Sequence, residues 1–390
     1  MTDKPQFVGN NKQMKLGELC NICSGGTPKR SVDEYWNDGT IPWVKISDIT
    51  QKHVYSTEER ITKAGLNESS AKMLEPGTLL YSIFASIGAV GILDIRAATN
   101  QAIAGLSIKN DSIERNYLYH FLKSQETLAK SSGRGAAQSN INLTILRNLE
   151  VPVPPRDVQK SIVAQLEVVS SQIDGVEKQI SYLDSLVKSR FVEMFVNKGF
   201  PTITVGDSAE DIHYGTSEKA SNEGEFVYLR MNNITDDGKL DTANVKRITL
   251  PDKALENCLV RKGDLLFNRT NSREKVGKTC VFELDESMVI AGYIIRVRMN
   301  ESVESRYLAA YMNLDSMKEM LRSIAKGAVH QANISAKQLA AIEFPLPPLG
   351  LQREFISFVS QVDKSRFIAQ QQIEKLQMLY DSLAQEYFGE

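Results

Sequence analysis

The sequence predicts an α+β fold in which two pseudo-repeated α/β domains are joined by two long antiparallel coiled-coil helices. Three observations predict it: an internal repeat of domain size, β-rich segments in both copies, and a proline-rich stop followed by a heptad pattern after each copy. The chain has 390 residues, 42% of them hydrophobic and 24% charged, a composition typical of globular proteins with room for more than one core.

The repeat is clearest between residues 137–163 and 330–356. At a constant offset of 193, nine of 27 positions are identical without a gap. The identical pairs are Gln138/Gln331, Asn140/Asn333, Ile141/Ile334, Leu146/Leu339, Glu150/Glu343, Pro152/Pro345, Pro154/Pro347, Pro155/Pro348 and Gln159/Gln352. Weaker similarity relates 41–49 to 225–234 and 75–81 to 261–267. The chain is therefore interpreted as one unit used twice.

This repeat divides the chain into five expected segments. They are a flexible leader (1–13), a first domain (14–151), a proline stop with a first helix (152–196), a second domain (197–344), and a proline stop with a second helix (345–390). Within the domains we expect strands at 44–49, 78–84, 263–268 and 293–299, and helices at 115–130 and 306–323.

Each proline stop ends any preceding structure and is followed by apolar residues at alternating spacings of four and three. This pattern predicts a coiled-coil seam made of Ile162, Leu166, Val169, Ile173, Val176, Ile180, Leu183 and Val187 in the first copy, and Phe355, Val359, Val362, Arg366, Ala369, Ile373, Leu376 and Tyr380 in the second. Arg366 is the only break. The helices either pair with each other, antiparallel around a pseudo-two-fold axis, or pack on their own domain or on a partner chain.

Charge and cysteine content limit the function classes. The net charge is −2 and no part of the chain is strongly basic, so DNA binding would need local basic patches or a basic partner that shares the phosphate contacts. Four cysteines fit a reducing cytoplasm. Cys20 and Cys23 form a lone C-x-x-C, which is either a zinc or redox motif or simply two small buried residues. The longest apolar run, residues 79–93, is too short to span a membrane.

Two domains at the ends of a stiff rod are suited to DNA recognition at two half-sites about 34 Å apart, and divergent domains imply half-sites of different sequence. Polar and basic loop residues are the candidate DNA contacts, although each is also compatible with a solvated loop. In the first domain they are Gly26, Thr27, Lys29, Arg30, Lys45, Ser47 and Asp48, with glycine allowing close approach of the backbone to phosphate. In the second they are Tyr214, Thr216, Arg230, Asn232, Asn233, Arg269, Asn271, Ser272, Arg273 and Lys275, followed by Lys278.

The repeated polar pairs Gln138/Gln331 and Asn140/Asn333 have two interpretations. They contact DNA, or they cap the turn that leads into the proline segment.

No catalytic motif is complete. Gly277-Lys278-Thr279 resembles the end of a P-loop, but Ser272 occupies the position of its first glycine. The proline pairs lack the preceding Asn or Asp of an adenine methyltransferase motif. The histidines do not cluster in sequence. We therefore expect no catalytic residues, no metal site and no cofactor in this chain.

Several features together carry a family resemblance: the paired Gln-x-Asn-Ile…Pro-x-Pro-Pro…Gln blocks, the helices after them, and residues 16–19, 24–28, 43–49 and 75–77. In these features the chain resembles the specificity subunit of type I restriction–modification systems. The resemblance covers residues 14–390. It implies two target recognition domains, each recognising half of an asymmetric bipartite site, and a spacer coiled coil. It implies two S-adenosylmethionine-dependent methyltransferase subunits and ATP- and Mg-dependent helicase–nuclease restriction subunits as partners, which carry out the catalysis. A module of another restriction class and a stand-alone DNA methyltransferase are the alternatives.

Overall fold

A computed structural model of the chain describes residues 12–83, 88–131, 142–328 and 331–389. The chain forms two compact units: unit 1 comprises residues 1–177 and 370–390, and unit 2 comprises residues 178–369. Each unit therefore includes one globular domain together with parts of both long helices.

The described part of unit 1 contains ten strands and four short or medium helices before the first long helix. The strands are β1 (Lys12–Lys15), β2 (Cys20–Ser24), β3 (Ile41–Val44), β4 (His53–Val54), β5 (Glu59–Ile61), β6 (Leu79–Ser82), β7 (Val90–Leu93), β8 (Ala98–Thr99), β9 (Ile103–Ile108) and β10 (Glu150–Val153). The helices are α1 (Leu16–Leu19), α2 (Lys63–Asn67), α3 (Arg115–Ser131), α4 (Leu143–Arg147) and the long α5 (Arg156–Phe195).

The described part of unit 2 repeats this order with more strands. They are β11 (Thr202–Thr204), β12 (Ala209–Tyr214), β13 (Phe226–Leu229), β14 (Lys246–Ile248), β15 (Leu259–Val260), β16 (Leu265–Asn268), β17 (Thr270–Asn271), β18 (Thr279–Val281), β19 (Met288–Ile290), β20 (Ile294–Met299), β21 (Lys326–Ala328), β22 (Gln331–Asn333) and β23 (Glu343–Pro345). The helices are α6 (Asp252–Cys258), α7 (Ser305–Met312), α8 (Asp315–Ile324), α9 (Ala336–Ala340) and the long α10 (Leu349–Phe388).

The three sheets of unit 1 have counterparts in unit 2, where the strand β15 and the three-stranded sheet β17-β22-β21 are additional in the described part of the chain. The order β2-β9-β6-β7 in unit 1 matches β12-β20-β16-β18 in unit 2, with β4 added at the edge in unit 1. A second sheet, β5-β3-β8, matches β14-β13-β19, and in both the last pair is parallel. The two-stranded β1-β10 matches β11-β23. The fold is therefore a structural repeat as well as a sequence repeat.

The long helices begin directly after the proline stops, because proline inside a helix removes a backbone hydrogen bond. In unit 1 the first half of α5 packs against the second half of α10. Ile162, Leu166 and Tyr380 share one buried cluster, and Tyr387 Oη donates to Gln165 Oε1 (2.7 Å).

In unit 2 the opposite halves of the two helices pack together. The rings of Phe191 on α5 and Phe355 on α10 meet edge to face with centroids 5.3 Å apart. Arg366 of α10 forms an ion pair with Asp184 of α5. Since the later α5 residue, Phe191, meets the earlier α10 residue, and Asp184 meets Arg366, the helix segments of unit 2 pair antiparallel. All sixteen predicted seam residues are buried or half-buried.

Three expectations about local structure need correction. The strand predicted at 44–49 ends at Val44, and Ile46–Asp48 form a 3-10 turn, because the Asp48 carboxylate accepts a hydrogen bond from the Lys45 N–H (2.7 Å). The helix predicted at 306–323 is two helices, α7 and α8. The break comes at Asn313, whose Nδ2 donates to the Thr279 carbonyl (2.7 Å). Residues 12 and 13 of the expected leader lie in β1, paired with β10.

Candidate nucleic-acid interface

In unit 1, the first candidate loop is organised around two tryptophans. The guanidinium of Arg30 lies 3.7 Å from the ring centroid of Trp36 and 5.0 Å from that of Trp43. Arg30 also forms an ion pair with Glu59, which accepts a second hydrogen bond from Lys45 (2.7 Å). The hydrogen bond from Arg30 is the main cause of the lowered pKa of Glu59. Arg30 and Lys45, distant in sequence, are thus brought to one acidic partner.

The neighbouring candidates of this loop differ in exposure. Lys29 is exposed, and its carbonyl accepts a hydrogen bond from the indole of Trp36 (3.1 Å). Thr27 is half-buried and donates to Gln101.

Gly26 is not available as a close-approach site for phosphate, contrary to the sequence interpretation. It is buried, its carbonyl accepts a hydrogen bond from the Trp43 indole (3.0 Å), and a Cβ there would lie 2.3 Å from the Ala71 nitrogen. This glycine is required because the chain packs against its own backbone.

The two units present the same turn at corresponding positions. In unit 1 the Lys45 N–H donates to the Asp48 carboxylate (2.7 Å), and in unit 2 the Arg230 N–H donates to Asn233 Oδ1 (2.8 Å). Asn233 is buried and also donates to the Asn244 carbonyl (3.0 Å). Asp48 and Asn233 therefore stabilise the turn, so their expected role as DNA contacts is not favoured.

The residue before each of these side chains is exposed. Ser47 in unit 1 and Asn232 in unit 2 lie in the middle of the equivalent 3-10 turns. Arg230 is half-buried, and its Nη2 donates to the Asn244 carbonyl (3.1 Å). A fixed turn thus carries a different exposed polar side chain in each unit.

In unit 2 the structure brings together three candidates that are far apart in sequence. The Arg269 guanidinium lies 4.8 Å from the ring centroid of Tyr214, and its Nη2 donates to Asn333 Oδ1 (2.8 Å). Tyr214 is exposed, and its hydroxyl accepts a hydrogen bond from the Ala336 N–H (2.8 Å). Arg269 Nε is buried without a hydrogen-bond partner. These contacts hold the arginine in one orientation at the surface.

The remaining candidates of unit 2 line the same region. Asn271 lies in β17, which pairs with β22, and its Oδ1 accepts from the Ser272 N–H (2.8 Å). Arg273 is exposed and donates to the Arg322 carbonyl (3.3 Å). Thr216 is half-buried, and its Oγ1 accepts from the Glu218 N–H (3.2 Å).

The capping interpretation of the repeated asparagines is wrong for Asn333. The helix after the repeat is capped by Asn142 in unit 1 and by Ser335 in unit 2, each accepting from a backbone N–H three residues later. Asn333 instead accepts from Arg269. Gln138 and Asn140 lie outside the described residues, as does the side chain of Gln331.

Asp236 and Lys318 lie beside the candidate residues Lys275 and Lys278, although no sequence pattern identifies them. Lys275 Nζ and Lys278 Nζ each lie 3.5 Å from the Asp236 carboxylate, and Lys318 donates to the Asp236 carbonyl (2.8 Å). No local sequence signal could identify this group, because its members come from three separate segments.

Cys20 and Cys23 belong to no metal-binding group in the described ranges, where no three His, Cys, Asp or Glu side chains are placed to ligate a metal. Burial raises the pKa of the Cys20 thiol to about 12. In the same part of the chain, no helix is both long enough and apolar enough to cross a bilayer.

Comparison with known families agrees with the repeat. The family model of the type I restriction modification DNA specificity domain matches the chain twice, over residues 9–183 and 204–378. The chain belongs to this family. Each specificity domain thus comprises one globular domain and most of the long helix that follows it.

Curated relatives of this specificity protein are specificity subunits themselves. The MjaVIII specificity subunit of Methanocaldococcus jannaschii is 23% identical over 389 residues, covering 93% of this chain and 88% of the relative. The EcoKI specificity subunit of Escherichia coli is 21% identical, with 86% and 78% covered. The MjaIX specificity subunit of M. jannaschii is 28% identical over 189 residues, and the match spans 43% of that relative's length.

The fold of the specificity protein is also that of a solved structure. A chain from a study of complex assembly and conformational transition in the type I R-M system superposes with a TM-score of 0.52 at 19% identity. The match covers 97% of this chain and 98% of that one. The duplicated α/β domains with two long helices are therefore a known architecture.

Proposed function

We propose that this chain is the DNA sequence-specificity subunit of a type I restriction–modification complex, and that each unit recognises one half of an asymmetric bipartite site. The observation that carries the proposal is a repeated framework with divergent exposed side chains. Equivalent sheets and turns present Ser47 in unit 1 and Asn232 in unit 2. Because the frameworks match and the surface residues differ, the two half-sites differ in sequence while they are approached in the same way.

In unit 2 the proposed base-reading group is Arg269, supported by Tyr214 and Asn333. A guanidinium held by an aromatic face and an amide oxygen is oriented before DNA arrives, which reduces the entropy lost on binding. Nη1 also donates to the Gly292 carbonyl (3.3 Å) and Nε is buried, so the second hydrogens of Nη1 and Nη2 are the donors that remain for the O6 and N7 acceptors of guanine in the major groove. In unit 1 the corresponding proposal rests on Ser47, Lys45 and Arg30.

The paired helices would set the separation of the half-sites and dock two methyltransferase subunits. The buried seam favours a stiff spacer. Several large apolar side chains of the helices are exposed, as expected of a surface that a partner covers: Tyr182, Phe367, Ile368 and Met378.

Catalysis and its cofactors belong, in this proposal, to partner subunits. S-adenosylmethionine would be bound by the methyltransferase subunits, and ATP and Mg by restriction subunits. The complex would act in the cytoplasm, in keeping with the four free thiols of this chain.

Methylome sequencing tests this function. The chain is co-expressed with its methyltransferase subunits in a host without other adenine methylation. We expect methylated adenines in a bipartite motif with two different halves and a fixed gap, and no S-adenosylmethionine binding by the chain alone. Methylation by the chain alone, or a single uninterrupted motif, would contradict the proposal.

A further inference from the structure

Three lysines of unit 2 converge on one aspartate. Asp236 lies in the turn after the 3-10 segment Met231–Asn233, and Lys275 and Lys278 lie in the loop between β16 and β18. Both ammonium groups are 3.5 Å from the Asp236 carboxylate. Lys318, on α8, donates to the backbone carbonyl of Asp236 (2.8 Å). Three separate segments thus meet at this cluster, called here the lysine cluster.

The lysine cluster has more positive than negative charge. Lys275 and Lys278 share the Asp236 carboxylate, whereas Lys318 bonds only the Asp236 backbone carbonyl, and the Lys278 side chain is only 10% exposed. A charge so deeply buried is costly unless an anion compensates for it. Burial, and next the neighbouring Lys188, lower the pKa of Lys318. The Asp236 side chain is 66% exposed, so the cluster is open to solvent on that side. A further anion would therefore bind favourably.

The turn that carries Asp236 is held firmly. The Thr235 N–H donates to the Lys239 carbonyl (2.9 Å), and Thr235 Oγ1 donates to Asp237 Oδ1 (2.5 Å). Gly238, with φ +77, lies against Asn313, so a Cβ there would be 2.5 Å from Asn313 Nδ2. The cluster is consequently organised before any ligand arrives, as efficient electrostatic binding requires.

The equivalent loop of unit 1 lacks this charge. Between β6 and β7 the chain runs through residues 83–89 (IFASIGA), which include no lysine or arginine. Between β16 and β18 it runs through residues 269–278 (RTNSREKVGK), which include four: Arg269, Arg273, Lys275 and Lys278. The difference between two otherwise matching units points to a task that only unit 2 performs.

We infer that Lys275, Lys278 and Lys318 form a phosphodiester site for the DNA backbone, so that unit 2 anchors the protein electrostatically whatever the base sequence. The inference rests on the proposed function. Backbone phosphate is favoured because Lys275 and Lys278 lie in the same loop as Arg269, the proposed base-reading residue, and phosphate contacts fix the register in which bases are read. Asp236 offsets the mutual repulsion of Lys275 and Lys278 until phosphate oxygens approach.

Salt dependence of DNA binding tests this site. The full chain, assembled with its methyltransferase subunits, is titrated onto one duplex that contains the methylated motif and one that lacks it. For Lys275→Gln and Lys318→Gln we expect affinity to fall equally on both duplexes. The slope of log K against log salt should decrease by about 0.9 for each phosphate that the variant no longer neutralises. Lys318→Arg should restore the slope.

A matched control and a charge-neutralising test complete the experiment. Lys262 is exposed and pairs with Asp285 (2.7 Å), and Lys262→Gln should leave both affinities and slopes unchanged. Asp236→Asn should strengthen binding to both duplexes, because it removes the carboxylate that the phosphate would face. Circular dichroism and the unfolding temperature establish that each variant is folded.

The outcomes separate three conclusions. Unchanged slopes in both glutamine variants overturn the phosphate site. A stabilisation by inorganic phosphate that Lys318→Gln abolishes, combined with unchanged DNA slopes, assigns the cluster to a free anion and also overturns it. If the wild-type complex binds both duplexes equally, the proposed function fails, while the slopes still decide the phosphate site.

Discussion

Gln159 and Gln352 make the same three hydrogen bonds in the two units. Both are fully buried. Gln159 Oε1 accepts from the Glu114 N–H (2.7 Å), and its Nε2 donates to the carbonyls of Ser112 (2.9 Å) and Pro154 (2.8 Å). Gln352 repeats the pattern at distances of 2.9, 3.1 and 2.9 Å. The last identity of the sequence repeat is therefore a joint between each domain and the start of its long helix.

We predict that Gln159→Ala and Gln352→Ala each lower the free energy of unfolding by about 3 kcal/mol, because each leaves buried backbone groups without partners. Urea titration of the purified chain measures this. Gln179→Ala, at an exposed position of α5, is the control and should change the value by less than about 0.5 kcal/mol. Midpoints equal to that of the wild type in both variants would show that the joint does not contribute to stability.

The single break in the apolar seam is an ion pair. Arg366 is mostly buried, with 16% of its side chain exposed, and it bonds Asp184 across the helix pair and Asp363 on its own helix (2.5 Å). We predict that Arg366→Leu keeps or raises the free energy of unfolding, because the desolvation of the guanidinium is avoided. Arg366→Ala should lower it by about 2 kcal/mol, since it leaves a gap in the seam.

Thermal unfolding of the two variants beside Lys364→Ala, an exposed position on the same helix, measures this. Equal losses for the leucine and alanine variants would mean that the ion pair itself stabilises the helix pair, contrary to this prediction.

In unit 1 a buried histidine, His120, contacts both long helices. His120 Nδ1 lies 2.8 Å from the Tyr380 hydroxyl, and His120 Nε2 lies 3.1 Å from the Glu167 carboxylate. Burial lowers the pKa of His120. The hydrogen bond from His120 and then the one from Lys52 lower the pKa of Glu167 to about 2.

Both shifts make unit 1 less stable in acid. The unfolded chain binds a proton at His120 more strongly than the folded chain does, so stability falls as the pH drops through about 6.5. The contribution of Glu167 is complete above its ordinary pKa and is lost as the pH falls towards about 2. Urea titrations at about pH 7.5 and about pH 5.5 should show a smaller pH-dependent loss in His120→Gln than in the wild type. If His120→Gln loses as much stability between these two pH values as the wild type does, His120 is not the source of the pH dependence.

We predict that Arg269→Ala relaxes selectivity in one half-site alone. Removal of a bidentate contact to guanine costs about 1–3 kcal/mol of discrimination, and the other half-site is contacted by unit 1. Competition between duplexes altered in one half or the other measures this in the assembled complex. Arg353→Ala, which removes an exposed arginine paired with Glu304 (2.7 Å), is the control. Equal loss at both half-sites would count against the assignment.

The long helices could be predicted from sequence because their signal is local. Heptad spacing fixes which residues face the partner helix, and proline fixes where each helix begins. Even Arg366 could be recognised as a break, although its partner Asp184 could not, because the register between two helices is not encoded within either one.

Polar loop residues are harder to assign from sequence. Asp48 and Asn233 occur in loops rich in candidate DNA contacts, yet both satisfy backbone groups of the same turn. Sequence alone does not tell whether a polar side chain bonds its own backbone or faces solvent. The expectation for Gly26 is wrong for a similar reason, because close approach to the protein's own backbone and close approach to a phosphate both require glycine.

Contacts between distant segments could not be predicted. Asp236, Lys275 and Lys318 come together only through the packing of a turn, a loop and a helix. The same is true of Tyr214, Arg269 and Asn333, each of which is a candidate on sequence grounds although nothing in the sequence groups them.

The spacing role of the helices is tested most directly by inserting one heptad into α5 after Glu177 and one into α10 after Ala369, followed by methylome sequencing. Seven residues lengthen a helix by about 10 Å and nearly preserve its seam, which corresponds to about three base pairs of duplex. We predict the same two half-site sequences with a gap longer by about three base pairs. An unchanged gap with retained methylation would contradict the spacer role on which this interpretation depends.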